Sequence, residues 1–168
     1  MDRAELQAVQ KPLKERYREE PAAAVITLRA DGRLDEEKIA CKVDTGRALV
    51  EAGLHPATGG TGAFACSGDM LLEALVACAG VTLRSVATSM ELDVSGSVHA
   101  EGDLDFRGTL GVDREAPVGF EAIRLRFDLA SDEPQEKLDK LLELTERYCV
   151  VGQTLAGGVP LEFGYSTS

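Results

Sequence analysis

The chain has no tryptophan, only two histidines, and 5% aromatic residues over its 168 positions. Its four cysteines, at 41, 66, 78 and 149, form no CxxC pair, and His55 and His99 stand apart from them. Zinc sites draw clustered Cys and His ligands at short spacings, so no metal centre is expected. Bases are outnumbered: 18 Lys and Arg against 29 Asp and Glu leave a formal charge of −11. Such a surface repels phosphate backbones, and no basic cluster interleaved with aromatics offsets it, so nucleic acid is not an expected partner. The main apolar run, the 13 residues from Met70 to Thr82, is interrupted by Glu73 and falls short of the roughly 20 residues that cross a bilayer. The first residues are charged rather than signal-like. The expectation is therefore a cytoplasmic protein that does not enter a membrane.

What remains is ordinary globular composition, 44% hydrophobic and 28% charged, enough for one domain over residues 1–168 with its own core. The stretch Gly68–Ala87 organises it. Ala, Leu and Met dominate from Met70 to Leu83 and lose little side-chain freedom in a helix. Apolar residues wrap nearly all the way round, which predicts a helix covered by protein on most sides. Leu71, Leu75, Cys78 and Thr82 share one ridge at helical spacing.

Around this helix the pattern is mixed. Residues 2–20 read as an amino-terminal helical extension with Leu6, Val9, Leu13 and Tyr17 on one face and Asp2 and Glu5 spaced as a capping box. Pro12 should kink or restart that helix, and Pro21 should end it. Ala22–Ala30 and Glu37–Thr45 read as a hairpin about Asp31-Gly32, with Cys41 in the second strand. The glycine-rich segment 46–68 lacks the lysine of a phosphate-binding loop, and Cys66 lies near the entrance of the central helix. Asp93–Asp105 and Phe120–Ala130 alternate as strands with one buried face, and the residues between them suit a functional loop or a bulged strand extension. Asp132 and Gln135 are spaced as a capping box for a helix carrying Leu138, Leu141, Leu142, Thr145, Tyr148 and Cys149. Gly152 should break it, and Val159–Tyr165 reads as a last strand.

Two predicted helices thus each present a cysteine on an apolar face. Spacing alone favours packing for both, because free cysteine is among the most buried residue types. Cys41 reads as packing by the same argument, and sequence separation does not show whether Cys78 and Cys149 meet.

The runs Asp69-Met70-Leu71-Leu72-Glu73-Ala74-Leu75-Val76-Ala77-Cys78, Gly102-Asp103-Leu104-Asp105-Phe106-Arg107-Gly108, Gly119–Ile123 and Tyr148-Cys149-Val150-Val151-Gly152-Gln153-Thr154-Leu155 resemble, in order, those of the OsmC/Ohr family of osmotically inducible and organic hydroperoxide resistance proteins. The resemblance covers roughly residues 65–165. It implies an α+β fold in which antiparallel sheets wrap long central helices in an intertwined homodimer. It implies thiol-dependent reduction of organic hydroperoxides: Cys78 attacks the peroxide and becomes a sulfenic acid, and Cys149 condenses with it to a disulfide. An external dithiol of lipoyl type reduces that disulfide, with no bound cofactor.

Family peroxidases also hold an arginine near the attacking sulfur, oriented by an acid just before the central helix. Asp69 falls close to the acidic position, where glutamate is usual, and Glu73 is its competitor as the one charge in the apolar run. The arginine has several candidates, Arg29, Arg33, Arg47, Arg84 and Arg107. A non-catalytic dimer binding an apolar small molecule between its subunits is the alternative reading on the same fold.

Overall fold

The computed structural model describes residues 3–34, 41–43, 53–63 and 65–167. They form α1 (Arg3–Glu19), β1 (Val25–Leu34), β2 (Cys41–Val43), α2 (Ser67–Ser89), β3 (Ser95–Asp105), α3 (Phe106–Thr109), β4 (Phe120–Ala130), α4 (Gln135–Tyr148) and α5 (Val150–Gly157). The strands pair antiparallel in one sheet ordered β2-β1-β3-β4, so the fold is α+β. Along β4, Ile123, Leu125, Phe127 and Leu129 pack against the core while Arg124, Arg126 and Asp128 face out, the period-two pattern of a half-buried strand. Phe120 enters beneath β3 because position 102 is glycine: a Cβ there would stand 2.4 Å from the Phe120 ring.

α2 packs on β1, β2 and β3 and against α4 and α5. Its Leu72, Val76, Ala79 and Leu83 have no exposed surface, and burying a leucine or valine contributes about 1.5–3 kcal/mol each. The helix ends in a Schellman turn: Leu92 N–H donates to Ala87 O at 2.9 Å and Glu91 N–H to Thr88 O at 3.1 Å. Glu91 sits at φ +55°, a conformation more usual for glycine.

The expected burial of α2 on most sides is only partly met within one chain. Leu71 is 37% and Val81 39% exposed, Ala74 is exposed and Cys78 half-buried, so an apolar stripe faces outward. The helix is also longer than the run that suggested it. At 23 residues it has the length and composition of a membrane span, although it is built into the core of this domain.

Several boundaries differ from expectation. The hairpin exists, but β1 continues through Asp31-Gly32 and pairs Gly32 with Val43 and Leu34 with Cys41, which moves the turn outside the described residues. Pairing with β3 from Val25 to Arg33 outweighs the local turn preference of Asp-Gly. α1 runs through Pro12 without restarting and ends before Pro21, which opens a short 3-10 turn. The Asp2–Glu5 box and Arg47 lie outside the described residues.

The connection after β3 is neither a long loop nor a strand extension throughout: Asp105 caps the one-turn helix α3 by accepting Arg107 N–H at 2.9 Å. No capping box forms at Asp132. Pro134 occupies the N-cap of α4, and Ser131 Oγ instead accepts Glu133 N–H at 3.2 Å and donates to Asp93 O at 2.6 Å. The helix break falls at Cys149 rather than Gly152, which lies inside α5. Val159–Tyr165 forms no strand; Val159, Leu161, Phe163 and Tyr165 are 52–94% exposed. An extended segment becomes a strand only by pairing with an edge, and this one pairs with none of the described strands.

Candidate active site at the α2–α5 junction

The interruption between α4 and α5 turns Cys149 into the core. Its backbone leaves helical geometry at φ −71° and ψ 101°, its N–H still closes α4 on Thr145 O at 2.9 Å, and its sulfur accepts the Gly152 N–H at 3.3 Å. A cysteine thus serves as the N-cap of α5, a place more often held by Ser, Thr, Asp or Asn. Gly152 eases this approach, since a Cβ there would lie 3.2 Å from the Cys149 sulfur, tighter than most such contacts. Cys78 of α2 packs against the core cluster that holds Cys149, and the two side chains are near enough to interact electrostatically. Two sulfurs far apart in the sequence are therefore neighbours.

Cys149 is 3% exposed. Burial pushes its thiol above the ordinary range, the Gly152 N–H opposes this by stabilising the thiolate, and the nearby Cys78 sulfur pushes the same way as burial. Cys66 is a free thiol at the N-cap of α2 and lies against the same core without a side-chain cap bond.

Beside Cys149 opens an apolar cleft of about 850 Å³. Leu71 and Leu75 of α2, Phe120 and Phe127 of β4, and Leu142 and Leu155 of α4 and α5 form its walls, with Glu121, Glu146 and Gln153 as polar lining. The floor is made by the helix that carries Cys78, while only Cys149 of the two cysteines lines the cleft itself.

The two candidate acids are not placed alike. Glu73 is half-buried on α2. Asp69 lies in the first turn of α2, where burial raises its carboxyl above the usual range and the nearby His55 lowers it in part. Its titratable neighbour is thus a histidine. His55 stacks on Phe106 with ring centroids 5.0 Å apart, and its Nδ1 accepts the Ala57 N–H at 3.0 Å, which leaves the ring proton on Nε2. Tyr17 of α1 donates to Ala57 O at 2.7 Å and closes this second core from outside. Nothing in the sequence announced His55 except its place before Pro56.

Arg107 is held by Asp105 and Asp113. Arg84 donates to Val94 O at 3.0 Å, beyond the carboxyl-terminal half of α2. Neither is seen to reach the sulfurs, and the side chains of Arg29 and Arg33 lie outside the described set. Among the described residues no group of His, Cys, Asp or Glu is arranged to hold a metal ion.

A sheet layered on a long helix, with paired sulfurs beside an apolar cleft, defines a class of α+β proteins that carry a dithiol at a helix junction. A family model described as OsmC-like protein matches residues 60–164, well over half of the chain, and the chain belongs to that family. Among solved structures it is similar to an OsmC-like hydroperoxide resistance protein from Jannaschia sp. CCS1, with 16% identity and a TM-score of 0.59, covering 86% of this chain and 95% of that one. At that identity the likeness speaks for the fold. No curated protein matches the chain in sequence.

Proposed function

We propose that the protein is a two-cysteine peroxidase acting on organic hydroperoxides. The observation that carries this reading is that Cys78 and Cys149, near enough to interact electrostatically, share a core cluster beside an apolar cleft that Cys149 lines. Cys78 is the attacking sulfur: its thiolate takes the distal peroxide oxygen, the O–O bond breaks, and the alkoxide leaves as an alcohol after gaining a proton. The resulting sulfenic acid meets Cys149, whose S–H is retained by burial; an S–S bond forms and water departs. Trapping at this stage prevents irreversible overoxidation. An external dithiol, of lipoyl type in our reading, returns both thiols by exchange and leaves as its own disulfide. No bound cofactor enters the cycle. Asp69, with Glu73 as its competitor, is the supporting acid of this proposal.

The working unit in this reading is a homodimer in the cytoplasm, where free thiols are maintained. The outward apolar stripe of α2 and the exposed residues Val159, Leu161, Phe163 and Tyr165 support it, because a second copy would cover both. The alternative, a non-catalytic dimer holding an apolar molecule, draws on the cleft alone.

The test is consumption of cumene hydroperoxide and hydrogen peroxide with a dithiol reductant, run beside Cys78→Ser and Cys149→Ser. Turnover of the organic peroxide that vanishes in Cys78→Ser is the expected result. Wild type and both variants equally idle would leave the binding protein as the better account.

A further inference from the structure

Cys149 sits at a corner of the backbone. Its N–H makes the last bond of α4, to Thr145 O at 2.9 Å, and its carbonyl accepts the Gln153 N–H of α5 at 2.8 Å. Between these two bonds the chain is extended, with ψ 101°. A helix that stops leaves its last carbonyls without donors from its own ladder, and Glu146 O is one of them. Gln153 supplies that donor: its Nε2 reaches back across the corner to Glu146 O at 2.8 Å. One residue thus ties the first turn of α5 to the last turn of α4, with Cys149 between the two attachments.

Packing fixes two of the three pieces that meet here. α4 is anchored in the core by Leu141 and Thr145, both buried, and Thr145 Oγ1 donates to Leu141 O at 2.8 Å. Cys78 rides on α2, whose Leu75 and Ala79 are also buried. α5 has no buried residue and rests on the main core through Val151. Its setting against α4 therefore depends on hydrogen bonds. The same turn carries Gly152, whose N–H reaches the Cys149 sulfur at 3.3 Å, so a swing of α5 shifts that sulfur's donor as well.

We infer that Gln153 is a positioning residue for the resolving step: by bridging α5 to Glu146 O it holds the Cys149 sulfur toward the Cys78 sulfenic acid. The inference rests on the peroxidase reading for the sulfenic acid and on the corner alone for the role of Gln153. In the step it serves, the Cys149 sulfur attacks the Cys78 sulfur. The S–O bond breaks as the S–S bond forms, and hydroxide leaves as water with the thiol proton. Peroxide attack on Cys78 comes earlier and uses no atom of the corner.

The experiment separates the two rates in Gln153→Met, which keeps the side-chain length and helical preference but has no donor. Loss of cumene hydroperoxide in a single turnover reads the attack. Loss of the Cys149 thiol in samples quenched under excess peroxide reads resolution. Gln153 is exposed and its bond competes with water, so resolution is expected to slow about fivefold while attack stays within about twofold of wild type. The longer-lived sulfenic acid should also be overoxidised at lower peroxide, seen by mass as two oxygens on Cys78. Thr154→Gly controls for general loosening: it lowers the helical preference of α5 at an exposed position, leaves the bridge in place, and should resolve within about twofold of wild type. Unchanged resolution in Gln153→Met, an equal fall in both of its rates, or the same slowing in Thr154→Gly overturns the inference while leaving the peroxidase reading intact. If wild type forms no sulfenic acid, the peroxidase reading fails, and the position of Cys149 is read with excess diamide. There one thiolate adds across the N=N bond, and the second thiol displaces the hydrazine as the S–S bond forms. Slower closure in Gln153→Met than in wild type supports the role of Gln153. Equal closure, or none in wild type, overturns it.

Discussion

Gly152 donates its N–H to the Cys149 sulfur at 3.3 Å from one turn along α5, and the missing Cβ at 152 leaves that approach uncrowded. A methyl group there would stand 3.2 Å from the sulfur and 3.4 Å from Cys149 Cβ, tighter than ordinary contact. The sulfur would have to shift by a few tenths of an ångström relative to Cys78.

Gly152→Ala should therefore slow formation of the Cys78–Cys149 disulfide by about threefold or more, because small misplacements of reacting atoms are costly. Its stability should stay within about 1 kcal/mol of wild type, as the helical preference of alanine offsets the crowding. Stopped-flow oxidation with thiol counting, beside urea unfolding, separates the two effects.

Glu91→Gly should stabilise the chain by about 0.5–1 kcal/mol. Glu91 occupies the left-handed position of the turn that ends α2, where glycine avoids the Cβ penalty. A higher urea midpoint with an unchanged slope is the expected result.

Asp105 is buried beneath Arg107, and its hydrogen bonds with that guanidinium hold the carboxyl below the usual carboxylate range. A depressed carboxyl contributes stability that is present above its unfolded pKa of about 3.9 and is lost as pH falls through the lower folded value. Asp105→Asn should destabilise the chain at neutral pH by about 1.5–3 kcal/mol, the order of a lost hydrogen bond between charged groups, because the carboxylate is buried while Arg107 keeps solvent contact. The variant should also show a shallower acid limb below about pH 4 when stability is followed by denaturant titration.

Burial depresses His55 below its usual range, against the opposing pull of Asp69. The folded chain thus favours neutral His55, so the unfolded chain takes up a proton first and stability falls as pH drops below about 6.5. His55→Asn keeps an acceptor for the Ala57 N–H and removes the titration. Its stability should change less than that of wild type between pH 7.5 and 5.5, roughly the window set by an ordinary histidine.

Val81→Glu should leave the folded chain intact, because Val81 is 39% exposed on α2. If α2 meets α2 of a second copy, the same substitution places like charges together and should shift sedimentation from dimer to monomer.

The parts of the fold carried by a single periodicity could be read from the sequence. β4 was legible to the residue because Ile123, Leu125, Phe127 and Leu129 alternate with charges, and α2 was legible because its composition admits little else. The failures share a cause. Asp31-Gly32 prefers a turn locally, but nine register pairs between β1 and β3 decide for strand. Val159–Tyr165 alternates like a strand, yet a strand exists only beside an edge that accepts it.

The site divides the same way. Cys78 and Cys149 drew attention through family resemblance, but their proximity and the break at Cys149 depend on how α4 and α5 dock against α2. His55 beside Asp69 was invisible because nothing local links a loop histidine to the first turn of a helix fourteen residues on.

The exposed carboxyl-terminal residues also give the molecule an optical gauge. With no tryptophan, its intrinsic emission comes from three tyrosines, of which Tyr17 is 2% exposed, Tyr148 55% and Tyr165 93%. Collisional quenchers will reach Tyr165 freely and Tyr17 hardly at all. The quenchable share of the light therefore reports, without any label, whether the end of the chain is bare or covered.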